Sequence, residues 1–215
     1  MTYEIDFIGI NEKSKDATAI AMRWEKTNGG YIVGIVDGGF QTHGEALTEL
    51  LNTYYFQGKE KKIIDFVICS HPHDDHIQGL KIILEKFTVK ALYMNRPWKH
   101  IKELYPYVEH GNMKSEGLEN RLRKNYASLV ELEALALEKK IPINDIFQGQ
   151  EIADCLQILS PSKAFYLNQL IESDKTPLKN DKSTPDLVME TAQKVTNQMQ
   201  ETWTKEALRE DVETE

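Results

Sequence analysis

Cysteine is scarce in this chain, with two among 215 residues, Cys69 and Cys155. That excludes a disulfide framework. Both lie in apolar, strand-like stretches and read as buried free thiols. No apolar run approaches the roughly 20 residues that a membrane-spanning helix needs. Met1-Thr2-Tyr3-Glu4-Ile5-Asp6 has neither the basic nor the apolar region of a signal peptide. No membrane association is therefore expected, and the expected location is cytoplasmic. Basic residues are outnumbered, 26 Lys and Arg against 34 Asp and Glu, for a net charge of −8. Broad sequence-independent nucleic-acid binding needs the opposite sign. A nuclease is not excluded, because bound metal ions are themselves large local positive charges. Short basic clusters such as Lys59-Glu60-Lys61-Lys62 and Arg121-Leu122-Arg123-Lys124 read as solvated faces. Repeats and low-complexity tracts are absent.

What is present fits a globular chain, 40% apolar and 28% charged, long enough for one sizeable domain and an appendage. Most of its chemistry sits in His71-Pro72-His73-Asp74-Asp75-His76, directly after the apolar run Lys62 to Ser70. Imidazole and carboxylate are the ligand types that suit zinc. An extended segment sends alternate side chains to one side, so His71 and His73 can converge on one ion. A helix is predicted next, over Ile77 to Phe87, from apolar Ile77, Leu80, Ile83, Leu84 and Phe87. Asp75 and His76 then fall in its first turn and can face a second ion. Asp74 reads as the helix N-cap. A lone histidine is more often structural than a ligand; three histidines and an aspartate in this order favour metal binding over a structural cluster.

Elsewhere the first third reads as strands. Tyr3, Ile5 and Phe7 alternate with acids, Thr18 to Trp24 alternates, and Asn28-Gly29-Gly30 is a turn before a strand from Tyr31 to Val36. Thr42-His43-Gly44-Glu45 resembles a capping box opening a helix with Ala46, Leu47, Leu50, Leu51 and Tyr54 on its buried stripe. His43 is expected at the surface or beside the cap. Val89 to Met94 reads as a strand leading into Asn95-Arg96-Pro97-Trp98, near the C-terminal strand ends where α/β ligands sit. There Arg96 could hold an anionic substrate and Trp98 could floor a pocket, against the alternative of a packed loop. A long helix is predicted from Glu116 to Lys139, with Leu118, Leu122, Tyr126, Leu129 and Leu132 inward. A strand over Ile152 to Leu159, a helix over Ala164 to Glu172, a polar loop and a last helix from Pro185 to Leu208 follow.

The His-x-His-x-Asp-His string after a strand, with Asp37-Gly38-Gly39 and Leu159-Ser160-Pro161-Ser162, resembles the metallo-β-lactamase-fold hydrolases. Within them the chain looks closest to the hydrolase domain of bacterial DNA-uptake channels and its stand-alone relatives. Asp16-Ala17 fits that subgroup's glycine-rich element, but its glycines are missing. The resemblance implies an α/β (α+β) fold, a four-layer αββα sandwich built from two similar halves. It implies Zn2+, two per complete site, with His71 and His73 on the first and Asp75 and His76 on the second. Asp75 would also orient an attacking metal-bound hydroxide, and Asp37 would support the metal loop from behind by orienting a ligand histidine.

The family's second half supplies a bridging aspartate and a final histidine, yet no histidine follows His110. The expectation is residues 1–165 as the N-terminal part of the domain and 166–215 as a helical insertion or arm. A half sandwich exposes an apolar sheet face, which predicts self-association or a partner covering it. The leading functional expectation is a zinc-dependent hydrolase of phosphodiester bonds, in nucleic acid or nucleotides, needing a second half for activity. The alternatives are a non-catalytic metal-binding interaction module, or an effector part of a larger, for example antiviral, assembly.

Overall fold

The computed structural model describes residues 2–9, 17–27, 29–107, 114–173 and 175–176. The expected helix from Pro185 to Leu208 lies outside them. Strand β1 (Tyr3–Phe7), β2 (Ala19–Glu25) and β3 (Tyr31–Gly38) form an antiparallel meander. Gly29 and Gly30 take the positive φ values (87° and 83°) that the β2–β3 turn requires and that glycine adopts without a Cβ penalty. Helix α1 (Gln41–Leu50) continues into a wider π turn over Leu51–Tyr55. The short strands β4 (Ile63–Ile64) and β5 (Phe66–Ile68) lead to helix α2 (Asp74–Lys86). Strands β6 (Thr88–Val89) and β7 (Leu92–Tyr93) and helix α3 (Ile101–Leu104) follow. Next come α4 (Ser115–Asn125), α5 (Ala127–Glu138), β8 (Ile143–Asn144), the hairpin β9 (Glu151–Ile152) and β10 (Leu156–Gln157), and α6 (Lys163–Glu172).

The architecture is α/β, one mixed sheet of six strands in the order β1-β2-β3-β5-β7-β8. From β3 to β8 neighbouring strands run parallel. Helices cover one face, where Ala19, Ala21, Val33, Ile35, Val67 and Leu92 share a core with Leu47, Leu80, Leu84, Leu122 and Leu132. This is the layering of one half of an αββα sandwich. On the other face Trp24, Phe66 and Ile68 pack under Ile146, Ile152 and Ile158 around the β9–β10 hairpin. That cover stops short of β1. Tyr3, Ile5 and Phe7 pair with Trp24, Met22 and Ile20, so they lie on this second face. They are 74%, 48% and 75% exposed.

Several local expectations are corrected. Helix α1 starts at Gln41 with Phe40 as N-cap and no side-chain cap, so Thr42 to Glu45 is not a capping box. Glu45 instead accepts from the Gln41 side chain. His43 is buried, and the π turn moves the inward position from Tyr54, which is exposed, to Tyr55. The predicted long helix is two, because Tyr126 (φ −119°, ψ 46°) leaves helical geometry and turns a buried ring inward. The strand expected over Val89 to Met94 is split between β6 and β7, and that over Ile152 to Leu159 is a hairpin. At its turn Ala153 and Asp154 are left-handed and Cys155 is exposed rather than buried. Ser162 caps α6 by accepting from the Phe165 N–H at 3.1 Å. This helix spans the expected 165/166 boundary, and its Leu170 belongs to the main core. No helix among the described residues is long and apolar enough to cross a membrane.

Candidate metal centre

The parallel strands all end at one edge of the sheet, and the histidine string begins there. After β5, His71 and Pro72 continue the chain to His73, whose extended backbone (φ −105°, ψ 150°) makes it the N-cap of α2. Asp74 is therefore the first helical residue and not the cap; its carboxylate accepts from Ser128 Oγ on α5 at 2.5 Å. Asp75 and His76 fall in the first turn, so the helix presents both at the strand ends. Close approach of α2 to β3 makes this geometry. A Cβ on Gly79 would lie 1.8 Å from the Gly38 carbonyl oxygen, and one on Gly44 2.5 Å from Gly79 Cα. Only backbone fits, and the Gly79 N–H donates to Gly39 O at 3.0 Å.

The opposite wall is Asp37, left-handed at φ 56° near the end of β3 and 3% exposed. Its Oδ1 accepts from the Ser70 N–H at 2.8 Å and its Oδ2 from Ser70 Oγ at 2.5 Å. Oδ2 also lies 2.8 Å from His76 Nδ1. Ser70 Oγ is 2.9 Å from His71 Nδ1. Because the Ser70 hydroxyl proton goes to Asp37, its oxygen accepts from His71 Nδ1–H. Both rings thus donate through Nδ1, the arrangement by which a supporting carboxylate or hydroxyl orients a ligand histidine. The His71 and His76 rings are 3.8 Å apart, and the His73 ring stands edge-on 4.9 Å from His71.

His76 Nε2 faces Asp75 Oδ2 at 3.5 Å. The ring nitrogen and the carboxylate are both metal-ligand types, and they meet at the start of α2. Asp37, His71 and His76 each offer a ligand atom within 4.8 Å of the others. His73 and Asp75 stand beside this group, the His73 ring against His71 and the Asp75 carboxylate against His76. Burial, reinforced by His76, lowers the His71 pKa against the pull of Asp37, which favours the neutral, ligating ring. Burial, with the Asp37 charge, pushes the Cys69 thiol far above its ordinary value, so this neighbour is a neutral thiol and not a thiolate ligand.

Beside the histidines lies a cavity of about 350 Å3, walled by Ser70, His71, His73 and Asn95 on one side and by Tyr126, Leu129, Tyr166, Leu170 and Lys175 on the other. The structure takes Arg96 and Trp98 elsewhere. Arg96 lies 3.3 Å from Glu133 Oε1 and 3.6 Å from Asp145. Trp98 is 3% exposed and donates its indole N–H to Glu133 at 3.3 Å. Arg123 closes this cluster, 3.0 Å from Glu133 Oε2 and 4.9 Å from the Trp98 ring centre. Burial alone would raise the Glu133 pKa, but hydrogen bonds from Arg123 and Trp98 outweigh it and bring it below the carboxylate norm. Both residues serve a buried ionic cluster under α5, where neither walls the cavity.

The model of the metallo-beta-lactamase superfamily matches residues 19–151. The chain belongs to that superfamily. No curated protein matches it. The superfamily span carries Asp37 and the whole histidine string, and these donors fit the metal ions that the superfamily typically binds. It stops before α6, so Tyr166, Leu170 and Lys175 of the far cavity wall lie outside it, while Tyr126 and Leu129 lie within it. The sequence reading missed Ser70, the Gly38–Gly44–Gly79 contact and that far wall. Only the glycines carried a local signal, two of them standing in Gly38-Gly39 and Gly44 around the α1 start; α6 meets the site purely through folding.

Proposed function

We propose that this superfamily member is a zinc-dependent hydrolase acting on phosphodiester bonds. The observation that carries it is the group of Asp37, His71 and His76, with ligand atoms within 4.8 Å of one another, beside a cavity that His71 and His73 line. The resemblance to hydrolase domains of DNA-uptake channels supports the choice of phosphodiesters. His71, His73, Asp75 and His76 would hold the metal, which when bound supplies positive charge to polarise the scissile group and acidify water. Asp37 holds His76 directly and His71 through Ser70, which restrains both rings through Nδ1. Asp75, partly exposed beside His76, would orient the attacking water or hydroxide. Four side chains shared between two ions fall short of the three protein ligands each catalytic zinc takes. The reading therefore includes further ligands from beyond the described residues.

The test is zinc content and hydrolysis of bis(p-nitrophenyl) phosphate by the full chain and by His73→Ala and Asp75→Asn. Bound zinc that falls in both variants, with circular dichroism unchanged and turnover lost, supports the reading. Wild-type protein that takes up no zinc from a buffered excess sinks it.

A further inference from the structure

The protein carries eight more acidic than basic residues, yet among the described residues the cavity beside the histidines is lined by one lysine and by no Asp or Glu. Lys175 is pinned there by its backbone. Its carbonyl accepts from Asn125 Nδ2 at 2.7 Å, and its N–H donates to Ser173 Oγ at 3.2 Å. The ammonium sits over the Tyr126 ring, 4.8 Å from its centre, and no carboxylate bridges it among the described residues. The Tyr166 hydroxyl, buried in the same wall, has no hydrogen-bond partner among them. Leu129, Leu170 and Pro97 supply apolar surface between these polar groups. Arg96, the other cation near the strand ends, is neutralised by Glu133 and Asp145.

We infer that this cavity is a subsite for a small organophosphate of about mononucleotide size, its anionic group on Lys175 and its organic body against Leu129 and Leu170. A cavity of about 350 Å3 is at the small end of ligand sites, and an ammonium without a carboxylate partner among the described residues, set in a largely apolar wall, favours an anion over a neutral analogue. The inference rests on the hydrolase reading only for where the scissile bond lies. It makes Lys175, which lies beyond the superfamily span, a specificity residue of the cavity.

The experiment measures binding of adenosine 5′-monophosphate and of adenosine by calorimetry to the full chain, with and without zinc, for wild type, Lys175→Gln and Lys175→Arg. Wild type is expected to favour the nucleotide over the nucleoside by about tenfold or more, the worth of a charge-assisted hydrogen bond. Lys175→Gln should erase that preference, Lys175→Arg should keep it, and zinc content should be the same in all three. Equal binding of both ligands by wild type, unchanged nucleotide binding in Lys175→Gln, or no nucleotide binding at millimolar concentration would overturn the inference. Nucleotide preference retained in protein that takes up no zinc would leave the subsite standing and remove the hydrolase.

Discussion

Asp37 is the residue on which the histidines depend. It is buried, it sits in left-handed backbone, and three donors converge on its two oxygens. Asparagine tolerates that backbone and keeps the size, but it loses the charge and one of its acceptor positions. Asp37→Asn is expected to weaken zinc binding by about 10–100-fold, as loss of an orienting partner does, with the fold retained. Competition against a chelating dye measures it; undiminished affinity would assign Asp37 a purely structural place. His100 gives a second expectation at this scale. It is 4% exposed, its Nε2 has no partner among the described residues, and the Phe147 and Tyr166 rings surround it. Burial lowers its pKa, with Lys163 acting in the same direction and Asp145 and Glu103 opposing. The folded state therefore holds the neutral ring, and its contribution to stability is full above the unfolded value of about 6.5. As pH falls through that value the unfolded chain binds the proton first and stability declines, at most by about 1.4 kcal/mol per pH unit for one proton. Urea denaturation at pH 7 and pH 5 should show a smaller drop for His100→Phe than for wild type. An equal drop in both would mean that His100 titrates alike folded and unfolded.

Helix α2 decides whether the site exists. Its first turn brings Asp75 and His76 to the strand ends only because Gly79 lets its backbone rest on Gly38 and Gly44. Gly79→Ala puts a methyl into the Gly38 carbonyl, where only backbone could move. The expected cost is about 3 kcal/mol, at the upper end of overpacking, read as a lower urea midpoint at unchanged slope. Zinc affinity should fall with it, since the helix must retreat and take Asp75 and His76 along. A variant as stable as wild type would contradict the close contact. At the other end of the site, α4 and α6 act together, because Asn125 at the end of α4 ties down the residue that follows α6.

At the scale of the whole molecule, the described residues cover one face of the sheet with helices and the other only in part. The β9–β10 hairpin covers Phe66 and Ile68, while Tyr3, Ile5 and Phe7 on the edge strand β1 stay in solvent. An apolar strip on an edge strand matches a second copy of itself across a two-fold axis. Sedimentation velocity of the full chain is expected to shift toward dimer as concentration rises, and Phe7→Lys to hold it monomeric. Because that side chain is 75% exposed, the substitution should change stability by less than about 0.5 kcal/mol. A wild-type monomer at every concentration would mean that the strip is covered within the chain.

The sequence by itself determined the metal string, the α/β class, the hairpin at Gly29-Gly30 and the inward leucines of α4 and α5. Each of these is a local signal: ligand types at short spacing, alternation, or a helical period. Asp37 was marked through the family resemblance of its Asp-Gly-Gly, and its partners, Ser70 and His76, came from the fold. The register of α1 was lost to a π turn, which no period of 3.6 anticipates. Tertiary structure alone decided that Arg96 and Trp98 belong to Glu133 rather than to the cavity, that His43 is interior, and that α6 and Lys175 face the histidines. Those facts depend on which surfaces meet across a hundred residues of chain, and a burial that pairs Arg96 with Glu133 leaves no trace in the neighbours of either residue.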